Sequence, residues 1–219
     1  MGKIIYENPL GKDADIDGFV LEGKAKISFN DGAMRLENAI NPEEGQKANF
    51  VLWCPISFPS DICIDWDFRP IKEPGLAIMF FAAKGRNGKS IFDESLSKRT
   101  GEYVQYHSGD INAFHVSYFR RKEVDERAFH TCNLRKSYGF HLVAQGADPI
   151  PDASPDSEWY RIRVMKKSGH ITFLINELKI FEFDDDGASY GDILTSGCIG
   201  FRQLAPMIAE YRNLRVTWL

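Results

Sequence analysis

Apolar and polar residues alternate with a period of two along almost the whole chain, and the spacing of an amphipathic helix is nearly absent. "KAKISF" (24–29), "AMRLEN" (33–38), "ANFVLW" (48–53) and "DICIDWDF" (61–68) each predict a strand. "GLAIMFFAA" (75–83) is apolar on both faces, which predicts a central strand covered on both sides. Further strands are expected at "INAFHVSYF" (111–119), "AFHTCNL" (128–134), "EWYRIRVMK" (158–166), "CIGFRQL" (198–204) and "AEYRNLRVTW" (209–218). "HITFLINELKIFEF" (170–183) predicts a hairpin turning at Asn176-Glu177. More than ten strands without a helix predict an all-β, two-sheet antiparallel jelly-roll sandwich. Long loops are expected at 82–103 and 145–158, a length that points to function or disorder. No stretch of linker composition divides the chain, so residues 1–219 are expected to form a single domain.

Composition narrows the class. The 219 residues are 43% hydrophobic and 13% aromatic, enough for a full core without staples. A net charge of −4 gives no support to nucleic-acid binding. With neither a signal-peptide pattern nor a bilayer-spanning stretch, the expectation is a cytoplasmic protein with no membrane partner. Met1-Gly2 begins like a myristoylation signal, but Tyr6 stands where Ser or Thr is needed. Cys54, Cys63, Cys132 and Cys198 form no C-x-x-C pair, so buried thiols are expected and a zinc or redox site is not.

The chemistry concentrates in "YHSGDINAFHVSYFRRK" (106–122). Alternation puts Asn112, Phe114, Val116, Tyr118 and Arg120 on one face, plausible for the gap between sheets. Ala113, His115, Ser117, Phe119 and Arg121 take the other. If the neighbouring strands share a sheet, His115, Asn133, Arg135 and Arg202 line one groove; a β-bulge would invert this. Residues 115–136 hold six basic against three acidic residues in a chain that is acidic as a whole. Arginine forks grip carboxylates, so an acidic sugar such as galacturonate or glucuronate is a fitting partner. The candidates for binding it are Tyr106, Asp110, Asn112, Arg120, Arg121, Asn133, Arg135 and Arg202. His107, His115 and Tyr118 are the acid/base candidates for β-elimination of a uronic acid.

Each reading has a plainer alternative. "RRKEVDER" also reads as a self-neutralising solvated hairpin, in which case the surface serves protein assembly. His107 with Asp110 reads as a base and its orienting carboxylate, or as part of a Ser-Gly-Asp turn. Asp61, Asp65 and Asp67 are the best carboxylate row for glycoside hydrolysis, yet solvent-facing acids explain them equally well. "EFDDDG" (182–187) offers carboxylates to calcium without the spacing of a dedicated loop, so an acidic turn is preferred and no cofactor is expected. The four tryptophans are expected in the core, while Tyr103, Tyr106 and Tyr138 are candidates to stack on a sugar ring.

Two resemblances add to this reading. "EWYRIRVMKKSGHITFLINELKIFEFDD", "SGCIGFRQL" and "AEYRNLRV" together resemble the ending of concanavalin A-like (galectin- and laminin-G-like) jelly rolls. "FRPIKEPGLAIMFFAAKG", "LSKRTGEYVQYHSGDINAFHVSYFRRK", "ERAFHTCNLRKSYGFHLVAQGADPIP" and "GFRQLAPM" resemble the YesU-like family, a bacterial domain of unknown function with a galectin-like jelly roll. That second resemblance implies a carbohydrate context, pectic and of rhamnogalacturonan type, but no established reaction and no catalytic residue. The expected function is binding of an acidic oligosaccharide, with lyase or hydrolase cleavage as its enzymatic form. Its groove is expected on strands 111–121, 128–135 and 198–204, closed by loops 84–110 and 145–158. The alternative is a non-catalytic lectin-like or assembly module.

Overall fold

A computed structural model describes residues 2–154 and 156–219; Met1, with the modification signal weighed at Met1-Gly2, and Pro155 lie outside the described residues. Among the described residues, fifteen strands form two antiparallel sheets. The back sheet runs β13 (Leu178–Asp184), β12 (His170–Ile175), β11 (Tyr160–Lys167), β6 (Ile62–Lys72), β15 (Ile208–Trp218), β4 (Ala33–Asn38) and β3 (Ala25–Asn30), with β1 (Lys3–Asn8) paired along β15. The front sheet runs β10 (His141–Ala147), β9 (Thr131–Ser137), β8 (Ile111–Tyr118), β7 (Leu76–Gly85), β14 (Gly197–Leu204), β5 (Phe50–Phe58) and β2 (Val20–Gly23). This is the expected two-sheet sandwich.

The period-two pattern explains the core. Ile62, Ile64, Trp66 and Phe68 of β6 meet Phe114, Val116 and Tyr118 of β8 between the sheets. Each such buried side chain contributes about 1.5–3 kcal/mol of transfer free energy. β7 is apolar on both faces because it serves two layers. Ala77, Met79 and Phe81 face the back sheet, whereas Ile78 and Phe80 point outward into a second apolar layer with Trp53, Ile91 and Tyr106. The cover of that outer layer is the 86–110 segment, which folds back onto the front sheet. Gly200 makes room there, since a Cβ would stand 2.4 Å from the Trp53 ring.

The hairpin forms as expected. Asn176 (φ 48) and Glu177 (φ 65) both take the left-handed conformation that a two-residue type I′ turn requires. Other expectations are corrected. Residues 124–128 form helix α2 (Val124–Ala128) in place of the hairpin weighed for "RRKEVDER", with Glu123 and Glu126 making a capping box at its start, and the strand expected at 128–134 runs instead over Thr131–Ser137. Strands β1, β2 and β10 escape the hydrophobic pattern. All three lie at or near sheet edges, where half-buried positions blur the alternation. Trp53 and Trp66 are buried, but Trp218 is 53% exposed and Trp159 lies under the guanidinium groups of Arg69 and Arg212.

The acidic candidates are engaged elsewhere. Asp65 and Asp67 face outward from the back sheet, where Arg163 binds the first (2.7 Å) and Arg161, Arg212 and Asn213 bind the second (3.1, 3.3 and 2.7 Å). Asp61 accepts from the Ser168 amide. In the 182–187 turn, Asp185 pairs with the buried Lys136 and Asp186 accepts the amides of Ala188 and Ser189. All four cysteines are free and buried. Among the described residues no helix is long and apolar enough to cross a membrane.

Candidate functional site

The front sheet holds the expected strands side by side, but the 86–110 cover occupies much of its outer face. Two arginines with buried side chains pin that cover. Arg99 donates to Glu22 (2.7 and 3.1 Å) and to the Ile91 carbonyl (2.6 Å). Arg202 donates to the Gly101 carbonyl (2.6 Å) beneath the rings of Tyr103 and Tyr106. Arg202 is thus on the predicted face yet fully buried, and burial pushes its pKa down to about 10. It holds the loop from beneath. Tyr106 is also fully buried, packed on Trp53 and Phe80. Asp110 ties the same loop by accepting the Ser97 amide (2.7 Å). Arg202 and Tyr106 are covered by this packing, while Asp110 is half-buried and anchors the loop.

What stays open is a cavity of about 150 Å³ between the cover and α2. Its floor is Ser117 of β8 with Asn133 and Arg135 of β9, where His115 pairs with Arg135 and Ser117 with Asn133 across the strands. Tyr103 and Phe140 wall one side, Leu76, Ile78 and Leu204 the other, and Arg120, Lys122, Glu123 and Glu126 form the rim. Arg120 is matched by Glu126 (2.6 Å) and also donates to Thr131 (2.7 Å). Arg135 makes no ion pair among the described residues. It donates to the Phe140 carbonyl (2.9 Å) with its guanidinium 3.9 Å over the Phe140 ring. Partial burial, then the like charge of Arg120, push its pKa below the ordinary arginine value. A positive group left short of counter-charge in a walled pocket suits an incoming anion.

The arginine pair divides against expectation. Alternation ends at Phe119, whose φ of 48 turns the chain, so Arg120 lies at the rim and Arg121 is fully buried. Arg121 contacts Asp148 (3.4 Å), Asp152 (3.2 Å) and the Ile150 carbonyl (2.7 Å). Residues 148–152 therefore pack against Arg121 and do not close the pocket, and α2 stands at the rim where the 145–158 loop was expected. Tyr118 is likewise removed from catalysis. It is buried in the inter-sheet core, accepts a hydrogen bond from Trp66 Nε1 (2.9 Å), and burial raises its pKa. Asn112 accepts the Tyr138 amide and faces a different cavity.

The histidines behave differently from each other. His115 is fully buried with Nε2 2.6 Å from the Tyr103 hydroxyl, while its Nδ1 has no partner. Burial, then Arg135 and Arg202, hold it well below the usual histidine value, so the ring is neutral. His107, at the end of helix α1 (Val104–His107), stacks on Phe140 (4.2 Å between centroids) and bonds Ser108, not Asp110. Burial, Arg135 and Arg202 also lower its pKa. Ser108, Gly109 and Asp110 bend the chain between α1 and β8. Tyr103, among the sugar-stacking candidates, is the wall that touches both histidines, and burial raises its hydroxyl to about 12. Phe140 was missed, since nothing local marks a turn phenylalanine as a pocket wall.

Three comparisons bear on this arrangement. An uncharacterized protein YesU of Bacillus subtilis (strain 168) is 52% identical over 215 residues, spanning 98% of this chain and 96% of that protein. A Bacillus subtilis crystal structure described as a protein of unknown function with a galectin-like fold superposes with a TM-score of 0.94 at 52% identity, covering 99% of this chain and 96% of that one. The carbohydrate-binding module CBM66 of Bacillus subtilis is similar in fold, with a TM-score of 0.56 at 10% identity over 91% of this chain and 95% of that one. The sandwich, with its galectin-like superposition, fits the match over residues 3–216, and the chain belongs to the family described as "Domain of unknown function (DUF1961)".

Proposed function

We propose that the protein binds an acidic, uronate-bearing oligosaccharide, pectin-derived and of rhamnogalacturonan type, with one uronate seated between Tyr103 and Phe140. One observation carries this reading: Arg135 stands at the pocket floor without a carboxylate partner, beside Arg120 and Lys122. A bidentate carboxylate would complete its donors. The likeness of the sandwich to a carbohydrate-binding module supports a glycan as the bearer of that carboxylate. The volume, about 150 Å³, is below the roughly 300–1,000 Å³ of drug-sized ligand sites, so it suits one sugar ring with the rest of the glycan on the surface.

Calorimetric titration with trigalacturonate and with its methyl ester tests this. Removal of one charge-assisted contact costs about 1.5–3 kcal/mol, so Arg135→Gln should weaken trigalacturonate binding roughly 10- to 150-fold. Equal affinity for acid and ester would refute the reading, as would the absence of binding to every uronate-bearing glycan tried.

A second reading, β-elimination, is favoured by the Tyr103–His115 contact (2.6 Å) beside Arg135. Arg135 and Asn133 would neutralise the carboxylate and acidify the C5 proton. The base would take that proton, the C5–H electrons would form the C4–C5 double bond, and the C4–oxygen bond would break with protonation of the leaving oxygen. Ultraviolet absorbance of the unsaturated product during incubation separates this from binding alone. Hydrolysis has less support, because Asp65 and Asp67 are bound by arginines on the other sheet.

A further inference from the structure

Strand β9 carries Ser137 two positions beyond Arg135, on the same face of the front sheet, beside Ala113 of β8. Around Ser137 opens another cavity, of about 440 Å³, on the far side of the Tyr138–Phe140 turn from the uronate pocket. Two large aromatic side chains line it without being buried: Tyr138 is 45% exposed and Tyr190 is 39% exposed. Both are held in place. Arg86 lies 3.9 Å over the Tyr138 ring, and the Tyr138 amide donates to Asn112 Oδ1. The Tyr190 ring stacks on His141 at 4.8 Å. Its loop is fastened by Lys136, 1% exposed, which donates to Asp185 Oδ1 (2.9 Å) and the Gly191 carbonyl (2.7 Å).

The polar groups here are incompletely used. Ser137 is 1% exposed and its hydroxyl has no hydrogen-bond partner. Asp192 lines the cavity and forms no ion pair among the described residues. Lys136 is neutralised by Asp185, while Arg86 lies over Tyr138, forms no ion pair among the described residues and keeps its charge. Fixed aromatic faces take the C–H face of a sugar ring, while a carboxylate and an amide accept and donate to adjacent hydroxyls. Asp192 offsets the charge of Arg86, so a uronate would lose hydration here without a surplus cation to compensate it.

We propose that this cavity is a second glycan site, specific for a neutral sugar ring, with Tyr138 and Tyr190 as platforms and Asp192, Asn112 and Ser137 as hydroxyl partners. It does not depend on the uronate pocket being occupied or correctly assigned.

Amide NMR spectra of the isotope-labelled protein, titrated separately with L-rhamnose, D-galactose, D-glucose and D-galacturonate, test it. Saturable shifts at residues 137–141 and 189–192 are expected with at least one neutral sugar, and much weaker ones with galacturonate. Tyr190→Ala should weaken that neutral sugar roughly 2- to 12-fold, the range of one aromatic contact. Asp192→Asn should weaken the neutral sugar and narrow the difference from galacturonate, whereas Arg135→Gln should leave this site unchanged. Unchanged thermal melting of the Tyr190 and Asp192 variants verifies the fold. The proposal is overturned if no neutral sugar shifts these amides saturably, if Tyr190→Ala binds as well as the parent, or if galacturonate binds there equally well.

Discussion

Replacing Arg121 with methionine strips the cation from Asp148, a buried carboxylate with no other ion pair among the described residues. The Arg121 and Asp148 side chains are both 0% exposed. Removing one member of a buried ion pair costs about 3–5 kcal/mol because the other is left uncompensated. Two amides, Phe119 N–H (2.7 Å) and Ile150 N–H (3.0 Å), still hold the Asp148 carboxylate, which places the cost near the lower end, about 3 kcal/mol. The Asp152 contact adds little, since that side chain is 65% exposed. With a urea slope of about 2–3 kcal/mol per molar, the unfolding midpoint should fall by about 1–1.5 M. Arg120→Met, which removes a rim pair with Glu126, should cost about 1 kcal/mol. The pH dependence has a definite sign. Burial raises the Asp148 carboxyl above its ordinary 3.8, so the folded state tolerates the protonated form better and gains stability as pH falls through the raised value. Loss of Arg121 raises it further, and the deficit of Arg121→Met should therefore shrink on acidification to about pH 5. Urea unfolding followed by tryptophan fluorescence at both pH values measures this. Equal losses for the two arginine variants, or a deficit that grows in acid, would refute the argument.

The pocket and the thiols give two more tests. His107 lies below its ordinary 6.5 through burial and the charges of Arg135 and Arg202, so the neutral ring is the stable folded form, and its contribution is lost as pH falls through the folded value. In an NMR titration His107 should protonate below 6.5, and saturation with trigalacturonate should move that value up; no movement on binding would separate the carboxylate from Arg135. Burial raises Cys63 to about 12 and Cys198 to about 11, and raises Cys54 and Cys132 as well. At pH 8 only about one Cys198 thiol in a thousand is ionised. A thiol-exchange reagent should find none of the four in the folded protein and all four in urea. Stability should fall as pH climbs above the unfolded thiol value of about 9. Rapid labelling of the folded protein at pH 8 would contradict the burial.

Alternation along the chain identified most of the strands and the core row of β8, because Phe114, Val116 and Tyr118 obey a rule set by the backbone itself. It failed at Phe119, where a positive φ in a non-glycine residue leaves no mark in "SYFRRK" and sends Arg120 and Arg121 to opposite fates. It placed Arg202 on the correct face but could not show what lies over that face, which depends on contacts distant along the chain. A usable signal did exist. Ile91, Phe92, Leu96, Tyr103 and Tyr106 are too many apolar residues for a solvated loop, and β7 offers an outward row, Ile78 and Phe80, that needs a cover. A loop with an apolar side and a strand with two apolar faces solve each other's burial problem, and pairing them predicts that the loop lies on the sheet. The consequence is functional: the cover fills the middle of the face that alternation alone would read as one continuous groove. Open surface is left on either side of the 138–140 turn, where Arg135 and Ser137 stand two positions apart on one strand with unlike surroundings, one short of negative charge and the other ringed by tyrosines and a free carboxylate.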